Sequence, residues 1–202
     1  MTIYAIVNNL LSQDALTSDA DPIWTLITPS AILQGGNPYF VPDFASRFEA
    51  CPAMAIRIGK LGKGVAPRFA YRYVEAVAPA VLFVARDMLE YLQEKGLPWT
   101  KAISYDRALA IGKFQSVEFG RIEDCTCTLT LQADKSSDKT ICSRGPIRLS
   151  LEETISSISR DNTLKTGDII LVGLAGEGTQ VKPGIRAVLT LDCEDSLRFN
   201  IR

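Results

Sequence analysis

Histidine does not occur anywhere in the 202 residues, and that absence removes more chemistry than any motif supplies. No Ser-His-Asp triad, Cys-His pair or imidazole metal ligand can be assembled, so the commonest hydrolytic mechanisms and zinc sites are excluded from within this chain. Catalysis would fall to carboxylates, Lys, Arg, Tyr, Cys or a bound cofactor. Long apolar runs are missing too. Nothing approaches the roughly eighteen residues of a spanning helix, and the opening stretch MTIYAIVNNLLSQDALTSDAD has neither a basic segment nor a small-residue cleavage pattern. An excess of one charge is also absent: 22 basic residues against 23 acidic ones leave a net charge of -1, with no bias toward nucleic acid or an anionic membrane. Neither is expected as a partner.

Cysteine is present but not as a framework. Cys51, Cys125, Cys127, Cys142 and Cys193 are odd in number and scattered, which reads as reduced thiols and sets a cytoplasmic location as the expectation. Cys125 and Cys127 stand at alternate positions of a strand-like run, so they share a face without a second pair to complete a metal site. GLAGEG, residues 173–178, follows a strand pattern but lacks the Lys-Ser/Thr of a phosphate loop and any helix after it, so it reads as a turn.

What the chain does have is a set of short periodic segments, compatible with one domain over residues 1–202. MTIYAIV, IWTLITPSAIL, AMAIRIG, PAVLFVAR, TCTLTLQA, DIILVG, IRAVLTL and SLRFNI predict strands, and QGGNPYFVPDF an irregular loop. The spacing of DMLEYLQEKG, closed by Gly96, predicts a helix; so does Ser150 with Glu153 three places on, ahead of Leu151, Ile155 and Ile158. APRFAYRYVEA is expected to be helical and the SSD segment, 136–138, to turn. The fold class is α+β, mainly β, with helices outside a mixed sheet. Lys60, Lys63, Arg68 and Arg72, interleaved with Tyr71 and Tyr73, read as a solvated face. Arg86, followed by Asp87, is different: a charge emerging from a buried strand must find solvent or a partner.

Taken together, RIGKLGK, PRFAYRY, FVARD, SISRDNTLKTGDIILVG and VKPG resemble, in order and rough spacing, the fumarylacetoacetate hydrolase family, over nearly the whole chain. The resemblance implies a β-sandwich or roll of mixed strands, a homodimer, and a magnesium or manganese site made by a Glu-x-Glu pair on one strand and an aspartate on a later one. Alternate strand positions would put both glutamates on one face, and a hard cation takes oxygen ligands. Such a metal would stabilise charge developing on an oxo acid or enol.

Anchored on Arg57-Ile58, the glutamate places fall on Cys51 and Ala53; anchored on Ala85-Arg86-Asp87, the aspartate place falls on Leu82. The family's lysine place falls on Ile103, its glutamine on Leu89, its Gly-Thr pair on Gly173-Leu174 and its late aspartate on Ile185. Arg86, Asp87 and Asp106 match residues that line or brace the family site, and Arg86 and Asp106 are the retained candidates. The expectation is a metal-free, inactive member that binds an oxo acid, a small carboxylate or another anion, or serves as a structural subunit, as a homodimer or beside an active paralogue. The alternative is an active hydrolase, isomerase or decarboxylase of 2-oxo acids or acylpyruvates, with its metal site displaced or completed by a partner. Thiol chemistry at Cys51 is a third reading, weakened by the lack of any histidine to activate it.

Overall fold

Two long strands at the centre of the larger sheet position the candidate site. The computed structural model describes residues 1–10, 21–133, 139–147 and 149–202. In it β4 (Phe48–Ile58) pairs antiparallel with β5 (Val74–Ala85), from Phe48 opposite Ala85 to Ile58 opposite Val74, with a register shift at Arg57/Ile58. Both strands are buried on both faces over most of their length, the environment in which strands read as near-continuous apolar runs.

β1 (Ile3–Ile6), β2 (Trp24–Ile27), β3 (Ile32–Leu33), β6 (Leu109–Ile111) and β9 (Ile169–Val172) extend that pair into a mixed sheet ordered β2-β1-β9-β4-β5-β6-β3. The short β10 (Thr179–Gln180) adds to β4 off this path. β7 (Cys127–Ala133), β8 (Lys139–Ser143), β11 (Ile185–Leu191) and β12 (Glu194–Ile201) make a second sheet, ordered β12-β11-β7-β8 and antiparallel throughout.

Alternation along β4 divides the interior. Cys51, Ala53 and Ala55 join Leu129, Leu131, Ala187, Leu189 and Phe199 of the second sheet in one core, whereas Met54 and Ile56 join Leu151, Ile155 and Ile158 of α3 (Leu151–Asp161) in another. The result is the expected mainly-β sandwich with peripheral helices. α3 begins as its sequence requires, with Ser150 Oγ accepting from the Glu153 amide at 3.2 Å. Removing that acceptor with Ser150→Ala is expected to lower stability by about 1 kcal/mol, read as a fall of roughly 2–4 °C in a thermal melt.

Three expectations need correction or limits. APRFAYRYVEA forms only a 3-10 turn, Pro67–Arg72, after which β5 begins at Val74; Val74 and Val77 gain more by pairing with Ile58 and Ile56 of β4 than by extending the turn. IWTLITPSAIL is two strands, not one, because Pro29 lacks an amide hydrogen and instead opens a 3-10 turn, Pro29–Ala31, between β2 and β3. The 136–138 turn lies outside the described residues.

Candidate site beneath Arg86

The antiparallel register puts Cys51 directly opposite Leu82, and Ala53 two places along β4 from Cys51, so all three side chains share one face of the β4-β5 pair. All three are 0% exposed. β5 ends at Ala85 and α1 (Arg86–Glu94) starts at once, so Arg86 leaves the sheet at the edge of this face. Its guanidinium turns inward: Nε donates to Glu49 Oε2 at 2.7 Å, and Nη2 donates to the Gly176 carbonyl at 2.9 Å and lies 3.6 Å from Cys51 Sγ.

Glu49 belongs to the same face, two residues before Cys51. Besides the Arg86 bond, its Oε2 accepts from the Gly178 amide at 3.2 Å, while Oε1 lies 3.6 Å from Arg47 Nε. The pair is nearly sealed, with the Arg86 and Glu49 side chains 10% and 15% exposed. Sequence reasoning passed over Glu49; the signal was its alternation with Cys51 and Ala53 in FEACPA.

The GLAGEG segment is more than a turn. Between β9 and β10 it runs along β4, with the Ala175 amide donating to the Pro52 carbonyl at 2.9 Å and β10 pairing Thr179 with Ala50. Gly178 comes so close that a Cβ there would sit 2.7 Å from both Cys51 Sγ and the Ala50 carbonyl oxygen. Only glycine allows this approach.

The electrostatics follow from this closure. Burial pushes the Cys51 thiol up to about 12, the nearby Arg86 charge opposing the shift and Glu49 reinforcing it. Tyr105 is likewise pushed far above its ordinary range by burial and by Tyr39, whose hydroxyl lies 2.8 Å from its own. Asp87 faces the other way: burial alone would raise its carboxyl, but the Ser46 hydroxyl and amide, with the Met88 and Arg47 amides, bring it below the usual carboxylate value. It therefore braces the start of α1 against the 46–47 segment.

Asp106 is exposed in the turn after α2 (Thr100–Ile103), and the guanidinium of Arg86 is engaged by Glu49, Cys51 and Gly176 instead. Ile103, Leu89 and Leu174 are all 0% exposed. The cluster around Lys60 is a surface feature: Lys63 Nζ donates to the Asp161 carbonyl at 2.7 Å, and the guanidinium carbons of Arg68 and Arg72 each lie 4.8 Å from the centre of the Phe69 ring.

A hard divalent cation asks for several oxygen ligands. The three places offer a protonated thiol, a methyl and an isobutyl group, and the nearby carboxylate of Glu49 is already bound to a guanidinium and an amide. The residues present do not fit magnesium or manganese. Among the described residues, no three His, Cys, Asp or Glu converge in a way that could hold a metal ion, and no helix is long and apolar enough to cross a membrane.

A family model described as fumarylacetoacetate (FAA) hydrolase C-terminal matches residues 5–198. Among curated proteins, the oxaloacetate decarboxylase, mitochondrial, of Dictyostelium discoideum is 30% identical over 160 residues, covering 78% of this chain and 71% of that protein. The mitochondrial oxaloacetate tautomerase of Bos taurus is 28% identical over 181 residues, covering 85% and 80%. Among solved structures, a fumarylacetoacetate hydrolase family protein from Yersinia pestis CO92 superposes with a TM-score of 0.83 at 20% identity, covering 100% of this chain and 92% of the other. A fumarylpyruvate hydrolase from Pseudomonas aeruginosa, in complex with Mn2+ and pyruvate, gives 0.76 at 19% identity, covering 99% and 88%.

Proposed function

The chain belongs to the fumarylacetoacetate hydrolase family, and from that premise we propose that it is a metal-free, non-catalytic member serving as a structural or small-carboxylate-binding subunit, as a homodimer or beside an active paralogue. The observation that carries this reading is the chemistry of one face: Cys51, Ala53 and Leu82, wholly buried and adjacent by register, stand where a cation would need oxygen. By the resemblance, two separately anchored segments both lack their carboxylates, and the face carries Gly178 and Arg86 against Cys51. We also propose a cytoplasmic location, although several relatives are named as mitochondrial proteins.

A second reading is favoured by those names. Relatives called oxaloacetate tautomerase and oxaloacetate decarboxylase support an enzyme acting on a 2-oxo acid, and the fumarylpyruvate hydrolase structure with Mn2+ bound supports a divalent metal in that reading. It requires oxygen ligands from elsewhere, such as a partner subunit, because Cys51, Ala53 and Leu82 supply none and the Glu49 carboxylate is engaged by Arg86 and the Gly178 amide.

Thermal melts with magnesium, manganese or EDTA separate the two. A ligand that binds only the folded state stabilises it by about 2.7 kcal/mol at a hundredfold excess over Kd, or at least about 5 °C for a chain of this size. The expected result is no shift with either metal and no turnover of oxaloacetate. A rise of several degrees, reversed by EDTA, would make the enzyme reading the better one.

A further inference from the structure

We propose that the guanidinium of Arg86 forms a carboxylate-binding site kept filled by the chain's own Glu49, which acts as a tethered ligand and latches the 173–178 loop onto β4. The inference goes beyond the preceding reading, narrowing it at Arg86 to the structural role, and rests on it only in taking the face as metal-free. Its test follows anion rescue rather than metal response, so either can fail alone.

A guanidinium removed from water needs a partner that satisfies its charge and its planar donor geometry, and a carboxylate supplies both. Arg86 has two fixed tasks: Nη2 reaches inward to the Gly176 carbonyl at 2.9 Å, and Nε is met by Glu49 Oε2 at 2.7 Å. Glu49 arrives from the strand that presents Cys51, and its carboxylate also receives the Gly178 amide at 3.2 Å. Two donors therefore bind this end group, Arg86 Nε and the Gly178 amide, while the Arg47 guanidinium adds its charge from 3.6 Å. Neither donor is specific to a glutamate side chain; each would serve the carboxylate of a small free acid equally well. What excludes such an acid is that Glu49 is covalently attached and already there, at an effective concentration that a dissolved carboxylate does not match.

The loop is coupled to the same contact. Gly176 accepts from the cation and Gly178 donates to the anion, so the ion pair is clasped by both ends of a three-residue segment that lies against Cys51. Loss of Glu49 removes the Gly178 acceptor and leaves Arg86 charged and half-satisfied.

The test truncates the tethered ligand and supplies a free one. Glu49→Ala, melted in chloride buffer near neutral pH, is expected to fall by roughly 6 to 20 °C, the range for breaking a buried pair in a chain of this size. Replacing chloride by formate or acetate at matched ionic strength is expected to return a few degrees, increasing with concentration as ligand-linked stability does. Wild type and the double variant Glu49→Ala/Arg86→Met should show no such preference for carboxylates. Equal responses in all three proteins, or none in Glu49→Ala, would overturn the proposal. If Glu49→Ala does not fold, Glu49→Gln is the alternative, since it keeps the shape and removes the charge. Adding Arg86→Met to it should then recover part of the lost melting temperature by removing the unpaired cation, and a further fall would count against the tethered-ligand role.

Discussion

Leu82→Asp, which places a carboxylate where the resemblance puts the family's aspartate, is expected to unfold the protein or nearly so, and not to create a metal site. Leu82 is 0% exposed and lies opposite Cys51. Truncating a buried leucine costs about 3–5 kcal/mol, and an ionised carboxylate in its place adds a desolvation penalty that Arg86, already engaged by Glu49, is poorly placed to offset. The sum approaches the whole stability of an ordinary domain, about 5–15 kcal/mol. Burial raises the new carboxyl's pKa above its unfolded value, so the folded state is least harmed below the unfolded pKa and loses stability as pH rises through the folded one. Urea titrations should therefore find the variant weaker at neutral than at mildly acidic pH, with manganese changing neither midpoint. Recovery of the neutral-pH midpoint by manganese would show that oxygen ligands reach this face from elsewhere and would favour the enzyme reading.

Much of the fold was legible because local and tertiary preferences agree. β7 and β11 alternate buried and partly exposed residues, and a two-residue period is visible without knowing the partner strand. α3 announced itself through its Ser150 cap, and α1 through the stop at Gly96, whose φ of +62° suits glycine. The misread segments are those decided at a distance. Nothing local in YRYVEA says that Val74 will pair with Ile58 rather than continue a helix. The same holds for β10, two residues long, which exists only because the 173–178 loop lies along β4.

The site divides in the same way. That Cys51, Ala53 and Leu82 belong together came from the resemblance, through two separate anchors; alternation alone places Cys51 with Ala53, and only the pairing of β4 with β5 brings in Leu82. Glu49 was readable as a neighbour of Cys51 on the same face, yet its meaning depends on Arg86, 37 residues away, and on the Gly178 amide, 129 residues away. A residue pattern set against the resemblance can suggest that ligands are missing. It does not show what fills the space they leave, which here is a salt bridge and a glycine backbone.

Cys51 should be modified by iodoacetamide at least about a thousandfold more slowly than Cys193 at mildly alkaline pH, because the attacking species is the thiolate. With its thiol pushed up to about 12, Cys51 exposes little of that form in the native state, and its sulfur is fully buried as well. Cys193 lies exposed in the turn between β11 and β12. Mass spectrometry of digested protein after timed labelling reads both sites in one sample, and Cys127, buried in β7, reports any global unfolding. The result decides the thiol-chemistry reading. A nucleophilic cysteine needs a nearby charge free to stabilise its anion, and this chain has no histidine to offer. Arg86 is the cation at hand, but its short contact is the 2.7 Å bond to Glu49, with Cys51 Sγ at 3.6 Å as a secondary neighbour. Rapid labelling of Cys51 while Cys127 stays protected would mean that the guanidinium serves the thiolate rather than the carboxylate. It would also mean that the 173–178 loop opens in solution. Slow labelling of both leaves Cys51 as an inert part of the core.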